Sequence, residues 1–209
     1  MSKKTKILFY GDSPYIYSGF AQVLRNIILE VYKTKRYDIK VFAIHQPVYF
    51  DEFGRVPNQY NNWKNKKDIY PYDIDILPKE IEVISANWFT KEDEKIGFQL
   101  TLQGQHKLIQ FLALHDIDIL FILNDPYVFE HTHKDLIALK EAGKKFITIF
   151  YFPVDAEYVD KKWYEIASKF DLPVTYTKWG IELAKKKYPE IVSEKKLDYI
   201  YHGTNIKEF

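Results

Sequence analysis

A nine-residue loop with a glycine at each end, GDSPYIYSG (residues 11–19), separates the first apolar segment of the chain from its first amphipathic helix. The N-terminus of a helix attracts anions, because its free backbone N–H groups and its dipole carry partial positive charge. Gly19 would let a phosphate group approach these amides, whereas Gly11 is expected to shape the turn and Ser18 to cap the helix. The residues fit equally well a turn that needs two glycines and binds nothing.

Two further segments place polar side chains directly after apolar segments. Asn124 and Asp125 follow the most apolar segment of the chain. Pro153 and Asp155 follow another apolar segment, residues 146–152. A carboxylate at the end of a buried strand can orient a substrate hydroxyl or act as a general base. Such sequences also form ordinary capping turns, so a purely structural role remains open for these residues.

The sequence lacks the signatures of several other kinds of site. It has no Gly-x-Gly-x-x-Gly fingerprint with a later acidic residue and no Gly-Lys-Ser/Thr loop, which argues against dinucleotide and Walker-type nucleotide binding. The chain has no cysteine, which excludes disulfides, thiolate nucleophiles and thiolate metal sites. His131 and His133 have no third ligand at a matching spacing, so we expect no metal site.

Charge balance and hydropathy constrain the class of protein. With 30 basic and 29 acidic residues, the net charge of the 209-residue chain is +1, which argues against a dedicated polyanion-binding protein. No stretch of 18 apolar residues occurs, so we expect no membrane span. The apolar residues 7–10 are too few for a signal peptide, and we expect a cytoplasmic protein.

The elements that must position the candidate residues alternate between strands and helices. We predict strands at 7–10, 39–44, 81–86, 117–123, 146–152, 173–176 and 197–201. Several of them are continuously apolar, as is typical of strands buried on both faces. Helical periodicity predicts helices at 18–34, 99–115, 133–142, 161–170 and 179–188, and the non-periodic residues 46–78 are expected to form a long loop. This alternation predicts one Rossmann-like domain over residues 1–209, an α/β doubly wound fold with a mainly parallel sheet. Such sheets bind ligands at the C-terminal ends of their strands, where the candidate segments would lie.

Five segments, in this order, carry a resemblance to a known family: GDSPYIYSGFAQVLRNI, DIDILFILNDPYVF, FYFPVDAEYVDKKW, DLPVTYTKWGIELAKKK and LDYIYHGTNIKEF. Together they resemble the N-terminal, acceptor-side half of the GT-B glycosyltransferases. The closest similarity is to the branch of glycosyltransferase family 4 found in phages, large viruses and microbes. The resemblance covers nearly the whole chain except about residues 46–95. It implies transfer of a sugar from a UDP- or GDP-linked donor, with retention at the sugar carbon and without a metal ion or other cofactor.

The resemblance implies a role in donor binding for the glycine loop. In the family this loop faces the donor diphosphate, which assigns diphosphate contacts to Ser18 and Gly19, with Gly11 shaping the turn. Ala21 stands where the family has a second glycine. This departure is expected to leave less room for a diphosphate.

The resemblance also implies roles for the turns that follow two central strands. Asn124 and Pro153 are assigned to substrate binding, and Asp125 and Asp155 to catalysis. Many relatives carry a histidine in the second of these turns, but this sequence has none there, and Asp155 is therefore our choice for the key polar group. The segment HGTN (residues 202–205) resembles the point at which the family's chain leaves its first domain.

A partner domain and an acceptor follow from the same resemblance. The family's nucleotide-holding C-terminal domain is expected to be absent from these 209 residues, and this chain alone is expected to be inactive. The acceptor could be a glycan, a protein or a nucleic acid, in the host cytoplasm if the protein is viral. The lysine- and aromatic-rich residues 58–72 could contact a nucleic acid or form a solvated loop. Two other functions stay open: a non-catalytic α/β binding or regulatory module, and a nucleotide-dependent epimerase of similar two-domain build.

Overall fold

A computed structural model of the chain describes residues 4–45, 76–86, 103–194 and 197–203. The loop predicted at 46–78 lies almost wholly outside these ranges, and the lysine- and aromatic-rich segment at 58–72 lies wholly outside them. The beginning of the helix predicted at 99–115 is also outside the described residues. None of the helices in the four described ranges has the length and apolar character that a membrane crossing requires.

The described residues form a seven-stranded sheet in which all neighbouring strands are parallel. The strands are β1 (Thr5–Asp12), β2 (Tyr37–Ile44), β3 (Glu82–Ser85), β4 (Ile119–Leu123), β5 (Ile147–Phe152), β6 (Leu172–Thr175) and β7 (Asp198–Tyr199). Their order across the sheet is β3-β2-β1-β4-β5-β6-β7. The predicted α/β class and parallel sheet are confirmed, and every predicted strand is present within two residues at each end.

Helices cover both faces of the sheet, as a doubly wound fold requires. Those in the described ranges are α1 (Gly19–Lys33), α2 (Gln105–Leu114), α3 (Thr132–Glu141), α4 (Lys161–Ala167), α5 (Lys178–Lys187) and α6 (Pro189–Glu194). On one face, Leu24 and Ile28 of α1 pack into a buried cluster with Phe9 of β1. On the opposite face, α2 to α5 pack into a second cluster that includes Tyr10 and Phe150.

Two short helical elements are absent from the sequence-based prediction. A 3₁₀ turn (Pro126–Phe129) follows Asp125, and α6 follows α5 after the single residue Tyr188. Each of them begins with a proline. Proline is favourable at the first position of a helix, because its missing N–H would have no intrahelical partner there.

The direction in which strands are added to the sheet reverses between β1 and β4. From β1 the chain builds β2 and then β3 on one side, and it resumes at β4 on the other side of β1. In open parallel sheets, ligands bind in the crevice outside the C-terminal strand ends at such a reversal. The loops that follow β1 and β4 therefore border the expected ligand crevice.

Gly11 lies inside β1, so the prediction that it shapes the following turn is wrong. A Cβ atom on Gly11 would lie 2.9 Å from the backbone oxygen of Leu123 and 3.0 Å from a methyl carbon of Leu24. The absence of a side chain thus allows β4 and α1 to approach β1 closely. The glycine serves packing at the reversal point of the sheet.

We expect Gly11→Ala to lower the free energy of unfolding by about 1–3 kcal/mol, because the new methyl group would overlap the Leu123 carbonyl and the Leu24 side chain. Gly19→Ala is the matched control. No atom lies within 4 Å of a Cβ built on Gly19, and its φ is not positive. The control should change stability by less than about 0.5 kcal/mol. Equal urea midpoints for the two variants would contradict the packing role.

Candidate functional site

Three carboxylates lie at the C-terminal edge of the sheet. Asp12 ends β1, Asp125 follows β4, and Asp155 follows β5. Burial raises the pKa of the half-buried Asp125 carboxyl above its ordinary value, and the charges of Asp155 and Asp12 raise it further. The three side chains are therefore close enough to interact, and we refer to them as the carboxylate cluster.

Asp12 connects the N-terminus of α1 to the end of β2. Its side chain is buried, and its Oδ2 accepts a hydrogen bond from the hydroxyl of Ser18. Its Oδ1 lies 2.9 Å from Nδ1 of His45, the residue that follows β2. The sequence analysis misses both Asp12 and His45. The only local signal is the position of each residue at or after the end of an apolar strand.

His45 has an uncommon backbone conformation and a raised side-chain pKa. Its φ is 54°, in the left-handed region that residues other than glycine seldom adopt. The hydrogen bond with Asp12 raises the pKa of the imidazole, which outweighs the opposing effect of partial burial. The side chain is half exposed, so His45 can present a partly positive imidazole to the crevice.

The N-terminus of α1 has the geometry predicted from the sequence. Ser18 caps the helix, because its hydroxyl oxygen accepts a hydrogen bond from the N–H of Ala21 at 2.9 Å. The amides of Gly19 and Phe20 have no partner within the helix. Gly19 borders open space, whereas Ala21 is fully buried and its methyl group lies in the interior.

The carboxylate of Asp12 already places negative charge at this helix end. Because Asp12 is hydrogen-bonded to the capping residue Ser18, its charge lies close to the positive end of the helix dipole. A diphosphate bound beside Gly19 would therefore share the helix end with a carboxylate. The Asp12–His45 pair offsets this repulsion when the imidazole carries a proton.

Asn124 and Pro153 lie inside the protein. The side-chain N–H of Asn124 donates to Oε1 of Gln103 at 3.2 Å, and its Oδ1 accepts from the N–H of Asp125 at 2.8 Å. Both ends of the amide thus shape the turn after β4. Pro153 is buried, whereas Asp155 is exposed at the mouth of the crevice.

An aromatic group borders the carboxylate cluster on the α1 side. Tyr176, directly after β6, has its ring centroid 4.5 Å from that of Tyr151 and 4.1 Å from that of His202. Its hydroxyl oxygen is buried and has no hydrogen-bond partner among the described residues. Burial raises the pKa of Tyr176, and the neighbouring Tyr151, Asp125 and Asp12 raise it further. The sequence analysis does not single out Tyr151 or Tyr176.

The arrangement suits recognition of hydroxyl groups. Carboxylate oxygens accept hydrogen bonds from hydroxyls, and an exposed carboxylate such as Asp155 can also take a proton from one. Within the described part of the chain, no group of three histidine, aspartate or glutamate side chains is arranged to hold a metal ion.

The raised pKa of His45 predicts a pH-dependent contribution to stability. A group whose pKa is higher in the folded protein stabilises it fully below its ordinary pKa, and this contribution is lost as the pH rises through the folded value. We expect His45→Asn to have a lower free energy of unfolding than wild type at about pH 5.5. This difference should become smaller at about pH 8.5. Asparagine tolerates the left-handed backbone, which limits strain.

Urea unfolding at the two pH values measures this difference. The same comparison in an Asp12→Asn background is the control, because the neutral amide cannot raise the imidazole pKa as the carboxylate does. A pH-dependent difference that survives in that background would contradict the Asp12–His45 pairing.

No protein-family model matches the chain, and no curated protein matches it. The functional interpretation therefore depends on the fold, the site and the resemblance carried by the sequence motifs.

Proposed function

We propose that the chain is the acceptor-side domain of a glycosyltransferase that moves a sugar from a nucleotide-sugar to a hydroxyl group of an acceptor. The observation that carries the proposal is the carboxylate cluster beside the N-terminus of α1, at the reversal point of the sheet. This arrangement offers hydroxyl recognition and an anion-binding helix end in one crevice.

In the proposed reaction, Asp155 acts on the acceptor. Its exposed carboxylate accepts a hydrogen bond from the acceptor hydroxyl and takes the proton as that oxygen bonds to the sugar carbon. The bond from this carbon to the diphosphate breaks, and the nucleoside diphosphate leaves. Attack on the face from which the diphosphate departs gives retention at the sugar carbon.

Asp125 has a different role in the proposal. Burial and its two carboxylate neighbours raise its pKa, so it holds a proton at a higher pH than an ordinary aspartate does. A protonated Asp125 donates a hydrogen bond to a sugar hydroxyl, and an ionised one accepts it. Asp125 therefore orients the sugar beside the Asp155 base.

The donor diphosphate would lie at the N-terminus of α1. The amides of Gly19 and Phe20 have no partner within the helix, and the open space beside Gly19, which has no side chain, permits close approach. In this proposal, the positive helix end and the His45 imidazole offset the negative charge of the diphosphate, a role that a metal ion has in other enzymes. The UDP or GDP part of the donor is held by a further, C-terminal domain.

One observation favours a second candidate, a non-catalytic binding or regulatory module. Asp12 already supplies an anion to the N-terminus of α1, and both ends of the Asn124 amide are hydrogen-bonded within the fold. In this alternative the helix end and the turn after β4 are structural, and the crevice binds a neutral ligand without chemistry.

The proposal predicts that Asp155→Asn lowers kcat by about 10², the scale of a positioned general base. The full-length gene product is incubated with UDP- and GDP-sugars, and release of nucleoside diphosphate is measured with a panel of glycan, protein and nucleic-acid acceptors. Asp116→Asn is the matched control, because Asp116 is highly exposed and precedes β4 at the opposite edge of the sheet.

Unfolding midpoints of both variants should stay close to wild type, since both side chains are exposed. Turnover by Asp155→Asn at the wild-type rate would remove Asp155 from the chemistry. Absence of turnover with every donor would favour the binding module.

A further inference from the structure

A cavity lies beside α1, and its described lining residues include no member of the carboxylate cluster. Its volume is about 350 Å³. Apolar side chains of α1 and of the central strands form most of its walls, including Val23, Ile27, Phe121, Ile149 and Val174. The proposed transfer reaction makes no use of this cavity.

Polar side chains also line the cavity. They include Asn26 and Glu30 of α1, Tyr151 of β5, and Tyr201 and His202 of the segment after β7. Glu30 is paired with Lys33, one turn further along α1. None of the described lining residues is a lysine or an arginine. The described lining therefore offers no cation to an anionic ligand beyond the imidazole, so the protonation of His202 decides what it can recognise.

The hydrogen bonds of Tyr151 fix the tautomer of His202. The Tyr151 hydroxyl donates to the carbonyl oxygen of Ile200 at 2.6 Å, and it lies 3.0 Å from Nδ1 of His202. A hydroxyl has one hydrogen and a carbonyl oxygen can only accept, so the Tyr151 oxygen must accept from an Nδ1–H of His202. Burial raises the pKa of Tyr151 to about 12, which keeps its proton in place.

Partial burial lowers the pKa of His202 below its ordinary value of about 6.5, which favours the neutral imidazole at about pH 7.5. Among the groups around it, the rings of Tyr151 and Tyr176 are in contact with it and are uncharged when protonated. The neutral imidazole has a single proton, held on Nδ1. Nε2, on the other side of the ring, then carries an unshared electron pair and acts as a hydrogen-bond acceptor.

From this geometry we infer that the cavity binds a small uncharged alcohol with an apolar body, whose hydroxyl donates a hydrogen bond to Nε2 of His202. Apolar walls favour the body of such a molecule, and the acceptor nitrogen favours its hydroxyl. A carboxylate of the same length has no hydrogen to donate and meets no lysine or arginine among the described lining residues. The inference does not depend on the proposed transferase activity.

The tautomer is tested by nitrogen NMR of the imidazole rings in the 209-residue chain labelled with ¹⁵N. At about pH 7.5 we expect His202 to show a protonated Nδ1 and an unprotonated Nε2. In Tyr151→Phe the acceptor is lost, and the Nε2–H form should become populated. Tyr158→Phe is the matched control, because Tyr158 is 92% exposed and lies outside the cavity. A wild-type His202 with its proton on Nε2 would overturn the inference.

Ligand class is tested with three probes of equal chain length: 1-hexanol, its methyl ether and hexanoate. Backbone amide shifts of Val23 and Ile27 report binding. We expect 1-hexanol to bind most tightly, and its affinity to fall about three- to tenfold in Tyr151→Phe, the scale of one neutral hydrogen bond. The Tyr158→Phe control should bind it like wild type.

Three binding results would also overturn the inference. Equal affinity for 1-hexanol and its methyl ether would show that no hydrogen bond to Nε2 contributes. Unchanged affinity in a folded Tyr151→Phe would show the same. Absence of binding, together with a dimer in sedimentation that covers Val23 and Ile27, would assign the cavity to a second copy of the chain. Loss of transferase activity in Asp155→Asn bears on none of these readouts.

Discussion

The parallel pairing of β1 with β2 on one side and with β4 on the other determines the rest of this architecture. It brings the C-terminal ends of the central strands to one edge of the sheet and sets the reversal point between β1 and β4. The pairing also requires that nothing protrude from Gly11, where the Leu123 carbonyl and α1 approach the backbone. The absence of a side chain at Gly11 therefore permits β4 and α1 to approach β1 closely beside the crevice.

The fold could be predicted from the sequence because its signals are local. Several of the predicted strands are continuously apolar, as is typical of burial on both faces, and all seven predicted strands are found in the described residues. The prediction of local conformation fails where contacts with distant parts of the chain determine that conformation. Gly11 resembles a turn glycine in the sequence, yet it continues β1, because pairing with β2 extends the strand to Asp12.

The site could be predicted only in part. Asp125 and Asp155 are visible as carboxylates after apolar strands, and their mutual influence follows from the parallel topology. The Asp12–His45 pair could not be predicted, since the two residues are 33 positions apart and meet only through the β1–β2 register, which aligns Asp12 with Ile44. Likewise, no local pattern shows that the Asn124 amide is used inside the fold, because its partner Gln103 precedes a different helix.

The crevice contains groups of both positive and negative charge. Three carboxylates, a helix N-terminus and a histidine of raised pKa lie together, so the field there combines both signs over a short distance. Such a mixture suits a ligand that brings hydroxyl groups to the carboxylates and an anionic group to the helix end. A nucleotide-sugar and its acceptor have this combination, which is why we favour transfer over simple binding.

The central claim is that Asp12, Asp125 and Asp155 converge on one crevice. Carboxyl ¹³C NMR titration of Asp125 tests it most directly, because a titration curve reports the charges around that one group. The account predicts a pKa above the ordinary aspartate value in wild type, and a lower pKa in both Asp155→Asn and Asp12→Asn. An Asp125 that titrates at the ordinary value, and is unaffected by either substitution, would show that the carboxylates do not share a site.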